Sequence, residues 1–255
     1  MGNCRISACM VLYHSGEEAM RALECLEKST VPVDVHIVDN SPETGDQMKI
    51  SWRFPGVHIH QSKKNLGFGR GNNLVLPELD SDYHLLINPD VTFEPDLLAR
   101  MMDYMDRHRD AVILTPRVFN ADGSEQFLPK KQPTVRYLAG GFFEKLGTAF
   151  ARLRQEYTMA DKTITRPVQV EFATGCFLLI RTEAFRRLGG FDERFFLYQE
   201  DSDLSRRASS IGTIIYHPDM HITHEWAREN VRTLKGTCRQ LVSVVKYFAK
   251  WGLKW

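Results

Sequence analysis

The 255-residue chain has no apolar run long enough to cross a bilayer. Its longest stretches free of Asp, Glu, Lys and Arg, residues 6–16 and 208–218, are eleven residues each, against the roughly 20 that a spanning helix needs. The apolar stretch near the N-terminus is short and runs into Glu17 and Glu18, so it does not read as a signal peptide. Met1-Gly2 opens like a myristoylation site, but Ile6 stands where that motif wants Ser or Thr. Paired cysteines are missing as well. Cys4, Cys9, Cys25, Cys176 and Cys238 are scattered and odd in number, with no Cys-x-x-Cys, which argues against a disulfide framework or a zinc knuckle. Reduced thiols and a cytoplasmic location are the expectation. Nor is there an excess of one charge: 33 Lys and Arg face 32 Asp and Glu, so no broad nucleic-acid surface is encoded. Internal repeats, low-complexity tracts and an obvious linker are also absent, so a single domain over residues 1–255 is expected.

What the chain does have is alternation. Residues 6–13, 33–38, 57–60, 83–87 and 111–114 read as strands, and residues 17–28, 74–79 and 95–107 as helices between them. This pattern predicts an α/β fold, a mainly parallel Rossmann-like sheet with helices on both faces. Ligands of such sheets sit outside the carboxyl ends of the strands. Polar clusters fall there: Tyr13-His14-Ser15, Asp39-Asn40, Asn65-Leu66-Gly67 and Asn88-Pro89-Asp90. The second half is less regular. Residues 129–165 are basic and aromatic without clean periodicity and read as a long loop or loosely packed helices. A buried strand over 172–180, helices over 183–188 and 201–210, a strand over 213–216 and a long closing helix over 227–252 follow.

Several of these clusters can carry chemistry. An Asp ending a strand, as in Asn88-Pro89-Asp90, can hold a hard divalent cation that bridges a diphosphate, and Asn88 could bond a ribose hydroxyl; a plain turn uses the same three residues. Asp39-Asn40 suits a nucleobase or ribose, or an Asx turn. Residues 65–73, Asn-Leu-Gly-Phe-Gly-Arg-Gly-Asn-Asn, are glycine-dense but lack the G-x-G-x-x-G spacing and any Gly-Lys-Ser/Thr. Their glycines permit close backbone approach, and a helix starting near Asn73 would favour an anion. Glu200, Asp201 and Asp203 form the densest carboxylate group, with Arg206 and Arg207 a turn later. Capping and i,i+4 pairing explain Asp203 and the arginines. One carboxylate is surplus and is a candidate general base. His217, His221 and His224 are a poor zinc pattern, though one imidazole could complete a metal shell begun by Asp90.

On the closing helix Leu234, Cys238, Leu241, Val245 and Phe248 make one stripe, and Lys235, Arg239, Lys246 and Lys250 a neighbouring one. No acidic residue follows Glu229, while six basic ones do. The helix reads either as core-packed with a solvated basic face, or as an interfacial helix drawn to anionic lipid with Trp251 and Trp255 at headgroup depth.

In order, Tyr13, Val-Asp-Asn-Ser (38–41), the 65–73 loop, Asn-Pro-Asp-Val (88–91), Thr-Gly-Cys-Phe-Leu-Leu-Ile-Arg (174–181), Gly-Gly-Phe-Asp-Glu-Arg-Phe-Phe (189–196), Glu-Asp-Ser-Asp-Leu (200–204) and His224 resemble family 2 glycosyltransferases with the GT-A fold, specifically the bacterial rhamnosyltransferase branch that builds surface polysaccharides such as O-antigen. The resemblance covers residues 5 to about 226. It implies a nucleotide-sugar site lined by Tyr13, Asp39, Asn40, Asn65, Gly67, Asn73 and Asn88. It implies Mg²⁺ or Mn²⁺ on Asp90 and His224, and Asp201 as the base. Glu200, Gly175 and Phe196 would lie toward the acceptor. Asn88 replaces the first Asp of the usual D-x-D, which lowers the charge of the site. Tyr-His-Ser stands where Tyr-Asn is usual.

The implied reaction is a single inverting displacement from dTDP-β-L-rhamnose to a saccharide acceptor, which a polyprenyl diphosphate at an anionic membrane could carry. A UDP-hexose donor and a non-catalytic carbohydrate-binding protein on the same fold are the alternatives. A nucleotidyltransferase would want an Arg/Lys-bearing glycine loop straight after the first strand, where His14-Ser15-Gly16-Glu17 stands. An oxidoreductase would want the missing dinucleotide fingerprint.

Overall fold

A computed structural model describes residues 4–41, 46–225 and 234–255. Strands β1 (Ile6–Leu12), β2 (Val33–Asp39), β3 (His58–Gln61) and β4 (Tyr83–Ile87) form a parallel block, connected through α1 (Gly16–Glu27), α2 (Asp46–Arg53) and α3 (Phe68–Asn73). Next come β5 (Val91–Phe93), α4 (Leu97–Arg107), β6 (Ala111–Phe119), α5 (Val135–Phe142), α6 (Thr148–Tyr157), β7 (Val168–Gln169), β8 (Phe177–Arg181), α7 (Thr182–Arg187), α8 (Glu200–Ala208), β9 (Thr213–His224) and α9 (Leu234–Trp251). One sheet runs β3-β2-β1-β4-β8-β6-β9-β5, with β7 alongside β9. β8 is antiparallel to both β4 and β6, so its amino end meets the carboxyl end of β4.

The period of two along each strand builds a core on both sides. Ile6, Ala8, Met10 and Leu12 face Ala19, Ala22 and Leu23 of α1 and Leu98, Met101 and Met105 of α4. Cys9, Leu86, Leu178 and Ile180 face the other way, onto Phe185 of α7 and Leu204 and Ala208 of α8.

Four expectations need correction. The helix after the third strand lies on the glycine loop itself and ends at Asn73, where one over 74–79 was expected. Glycine disfavours helix, but the space here admits nothing larger: a Cβ on Gly69 would meet Phe191 at 2.9 Å and one on Gly71 would meet Val11 at 2.9 Å. The strand expected over 172–180 begins only at Phe177, while of the two readings of residues 129–165 the helical one holds, as α5 and α6 joined by a 3-10 turn, Glu144–Leu146. The last strand does not stop at Tyr216. Its register on β6 jumps from Pro116–His217 to Arg117–His221, so Pro218 sits in a bulge and the strand continues to His224.

The fourth correction concerns α9. The expected start of this helix, residues 227–233, lies outside the described residues, as does the Leu234 side chain. Its buried contacts are Ser243 and Tyr247, and Lys250 turns inward to Asp192 at 2.7 Å and Asp203 at 2.5 Å. Lys246 reaches the Arg194 carbonyl oxygen. Leu241, Val242 and Val245 are left facing solvent. Lys246 and Lys250 thus turn to the body, Lys250 onto two carboxylates, and much of the apolar stripe points out, the reverse of a core-packed helix with a basic outer face.

Candidate active site

The carboxyl ends of β1 and β2 are tied together by their own turns. Asp39, at the end of β2, is buried; its Oδ1 accepts from the Ser41 backbone N–H at 2.8 Å and its Oδ2 from Gln47 Nε2 at 2.9 Å. Ser41 Oγ accepts from the His14 N–H at 2.8 Å, where His14 has φ +55°. Tyr13 projects beside it, 52% exposed, at the rim of the crevice. Asn40 is buried, donates from Nδ2 to the Gly67 carbonyl at 3.1 Å, and keeps Oδ1 without a partner among the described residues.

The glycine loop closes the next side. Asn65 Oδ1 accepts from the Gly67 N–H at 2.9 Å. Gly67 has φ +83°, and a Cβ there would lie 2.0 Å from the Phe196 carbonyl oxygen. That same oxygen accepts from the Phe68 N–H at 3.2 Å. The loop is therefore clamped to the segment that leads into α8. Asn73 does not open a helix toward an anion as expected. Its Nδ2 donates to the Phe191 carbonyl and its Oδ1 accepts from the Phe191 N–H, so it pins residues 189–193 to the end of α3.

Asp90 and His224 meet because β5 pairs with β9 in the register Val91–His224. Asp90 Oδ1 is buried and 3.2 Å from His224 Nε2. Gln126 decides the tautomer. Its amide nitrogen donates to the His224 carbonyl at 2.7 Å and to Asn120 Oδ1 at 2.8 Å, which leaves Oε1 to accept from His224 Nδ1 at 3.1 Å. Nε2 then presents its lone pair, facing Asn88 Nδ2 at 3.4 Å and the Asp90 carboxylate. An imidazole nitrogen and a carboxylate oxygen this close could together hold a divalent cation. An oxygen-and-imidazole donor pair suits Mg²⁺ or, better, Mn²⁺.

The antiparallel β8 brings Asp201 to the same edge. The Asn88 N–H donates to the Cys176 carbonyl at 2.8 Å, and the neighbouring Gly175 N–H donates to Asp201 Oδ2 at 3.2 Å. Residues 175–176 thus bridge the Asn88–Asp90 turn and the start of α8. Asp201 Oδ1 accepts from the Ser202 N–H at 2.8 Å. Burial raises the Asp201 carboxyl above its ordinary range, while the Lys130 ammonium and these backbone donors pull the other way. Burial and the Asp201 charge push Glu200 up to about 8. Burial thus raises both carboxyls, and the Lys130 charge favours the ionised form of Asp201. The entry to α8 is strained, with Tyr198 at φ +69° and Gln199 at φ +68°. Asp203 is wholly buried and structural, held by Arg207 Nε at 2.7 Å, by Lys250 and by Trp251 Nε1 at 2.8 Å.

Two contributors escaped the sequence reading. Gln126 lies just past the Asn120–Ser124 turn with nothing to mark it. Lys130, read as part of a basic stretch, pairs its backbone with Phe172, sets its ammonium 4.9 Å from that ring and faces Asp201. Phe196 carries Arg239 over its ring at 4.9 Å and, with Leu197, Val242 and Lys246, lines a cavity of about 380 Å³ against α9.

The profile of glycosyl transferase family 2 matches residues 7–189. The chain belongs to that family. The transferase is 30% identical over 241 residues to N-acetylglucosaminyl-diphospho-decaprenol L-rhamnosyltransferase of Mycobacterium tuberculosis, covering 87% of this chain and 76% of that one. It is 28% identical over 195 residues to the rhamnosyltransferase WbbL of Escherichia coli K12, covering 72% and 70%. Among solved structures it resembles the mannosyltransferase PcManGT of Pyrobaculum calidifontis in complex with GDP-Man and Mn²⁺, with a TM-score of 0.64 at 15% identity, spanning 98% of this chain and 64% of that one. The fold is GT-A, as the motif order implied.

Proposed function

We propose that this transferase is a metal-dependent, inverting rhamnosyltransferase that moves L-rhamnose from dTDP-β-L-rhamnose to a saccharide carried on a polyprenyl diphosphate. The observation that carries the reading is the Asp90–His224 acceptor pair at 3.2 Å, joined through residues 175–176 to the buried Asp201. The names of the two curated relatives support the donor, and that of the mycobacterial one the lipid carrier.

In this reading Tyr13, Asp39, Asn40, Asn65, Gly67 and Asn88 line the nucleotide sugar, and Asn73 holds their loop in shape. Asp90 and His224 would hold Mg²⁺ or Mn²⁺, which when bound supplies positive charge for the departing diphosphate. Asp201 takes the proton of the acceptor hydroxyl as its oxygen bonds the anomeric carbon and the bond from that carbon to the nucleotide diphosphate breaks. One displacement inverts the centre, so a β donor gives an α-L-rhamnoside. The Lys130 charge favours the ionised form of Asp201 against the burial that opposes it. Glu200, Gly175 and Phe196 border the side from which the acceptor enters. No helix among the described residues is long and apolar enough to cross a membrane. The exposed apolar face of α9 would meet an anionic leaflet on the cytoplasmic side.

Asp201→Asn should leave donor binding by calorimetry unchanged and lower kcat by about 10²–10⁴-fold. EDTA should stop turnover of the parent and Mn²⁺ restore it. Near-parental transfer by the variant overturns the base assignment, and turnover indifferent to EDTA overturns the metal.

A further inference from the structure

A second group of donors lies at the sheet edge, on residues the transfer reaction does not use. His36 on β2, His60 on β3 and Glu78, in the segment that follows α3, each place one ligand atom within 4.8 Å of the others. His36 is buried, and its Nδ1 faces His60 Nε2 at 3.3 Å. We propose that His36, His60 and Glu78 bind a divalent cation of borderline softness, Zn²⁺ above all, as a site separate from the catalytic centre.

Asp34 sets the tautomer. Its Oδ2 lies 3.1 Å from His36 Nε2 and its Oδ1 lies 3.1 Å from His58 Nε2. A carboxylate can only accept, so His36 carries its proton on Nε2 and offers the Nδ1 lone pair toward His60. This is the carboxylate–histidine arrangement that orients imidazole ligands of zinc. The spacing fits too. Two nitrogens about 2.0–2.1 Å from a tetrahedral zinc lie about 3.3–3.4 Å apart.

A simple His60-to-His36 hydrogen bond satisfies the site less well. It would spend the His60 proton on Nε2 and leave a lone pair on Nδ1, 3.8 Å from the Glu78 carboxylate. A cation on His60 Nε2 instead leaves the ring proton on Nδ1, facing the Glu78 carboxylate. Glu78 is exposed, so solvent can supply a fourth ligand. The ion would tie edge strand β3 to β2 and to the chain just beyond the glycine loop, stiffening one wall of the donor site without touching the donor.

The test titrates Zn²⁺ alone into the metal-free full-length chain and into Asp90→Ala, His60→Gln and Glu78→Gln, by calorimetry and thermal shift. One equivalent should bind the parent and Asp90→Ala alike and raise Tm in both. His60→Gln and Glu78→Gln, both at partly exposed or exposed positions, should fold, keep Mn²⁺-supported transfer, and bind Zn²⁺ about 10–100-fold more weakly. No binding by the parent, equal binding by all four proteins, or a loss confined to Asp90→Ala each overturns the site.

Discussion

Two adjacent buried acids stand at the head of α8, and single side chains set how readily each ionises. Glu200 Oε2 is buried with no partner among the described residues, whereas Asp201 has two backbone donors and the Lys130 charge. Removing that charge raises the Asp201 pKa further. A base must be unprotonated to act, so activity climbs as pH passes its pKa, and a higher pKa moves the acid limb of the profile to higher pH. Lys130→Met should therefore lose proportionally more kcat at about pH 6 than at about pH 8.5. A uniform loss at all pH values would mean that Lys130 acts only through its packing on Phe172.

At the scale of elements, the glycine loop is where local preference and tertiary demand conflict. Gly67→Ala would need an L-residue at φ +83°, costing about 1–2 kcal/mol, and would drive a methyl into the Phe196 carbonyl. The loop must then lift off the segment before α8. We expect a Tm lower by about 2–4 °C for each kcal/mol lost, and donor affinity at least about tenfold weaker by calorimetry; an unchanged affinity would show that the clamp does not shape the site.

The same conflict explains what the sequence concealed. Strands β1, β2, β4 and β6 were legible because an apolar run between turn residues needs only local rules. The polar turns at 13–15, 39–41, 65–67 and 88–90 followed from knowing where parallel strands end. The helix at 68–73 was not legible, since three glycines oppose it and only the fit against Phe191 and Val11 selects it. The end of β9 was hidden behind Pro218, and with it the reason His224 meets Asp90. Gln126 and Lys130 reach their partners across long loops that no periodicity records.

At the scale of the whole molecule, α9 presents Leu241, Val242 and Val245, 46%, 52% and 67% exposed, while its ammonium groups turn back to the body. If this face meets lipid, Val245→Asp should cut sedimentation with anionic liposomes several-fold and leave transfer to a soluble acceptor intact. Equal sedimentation of variant and parent would refute the contact.

Lys250 and Trp251 near the end of α9 also serve charge balance rather than adhesion, because both reach the sunken acid at position 203. Ending the chain before residue 234 would strip that anion of Lys250 and Trp251 and leave it exposed to the cost of an unmatched interior charge, about 3–5 kcal/mol where such a pair is broken. A tail deletion would then report damage beside the reaction centre, and its failure at vesicles would say little about lipid.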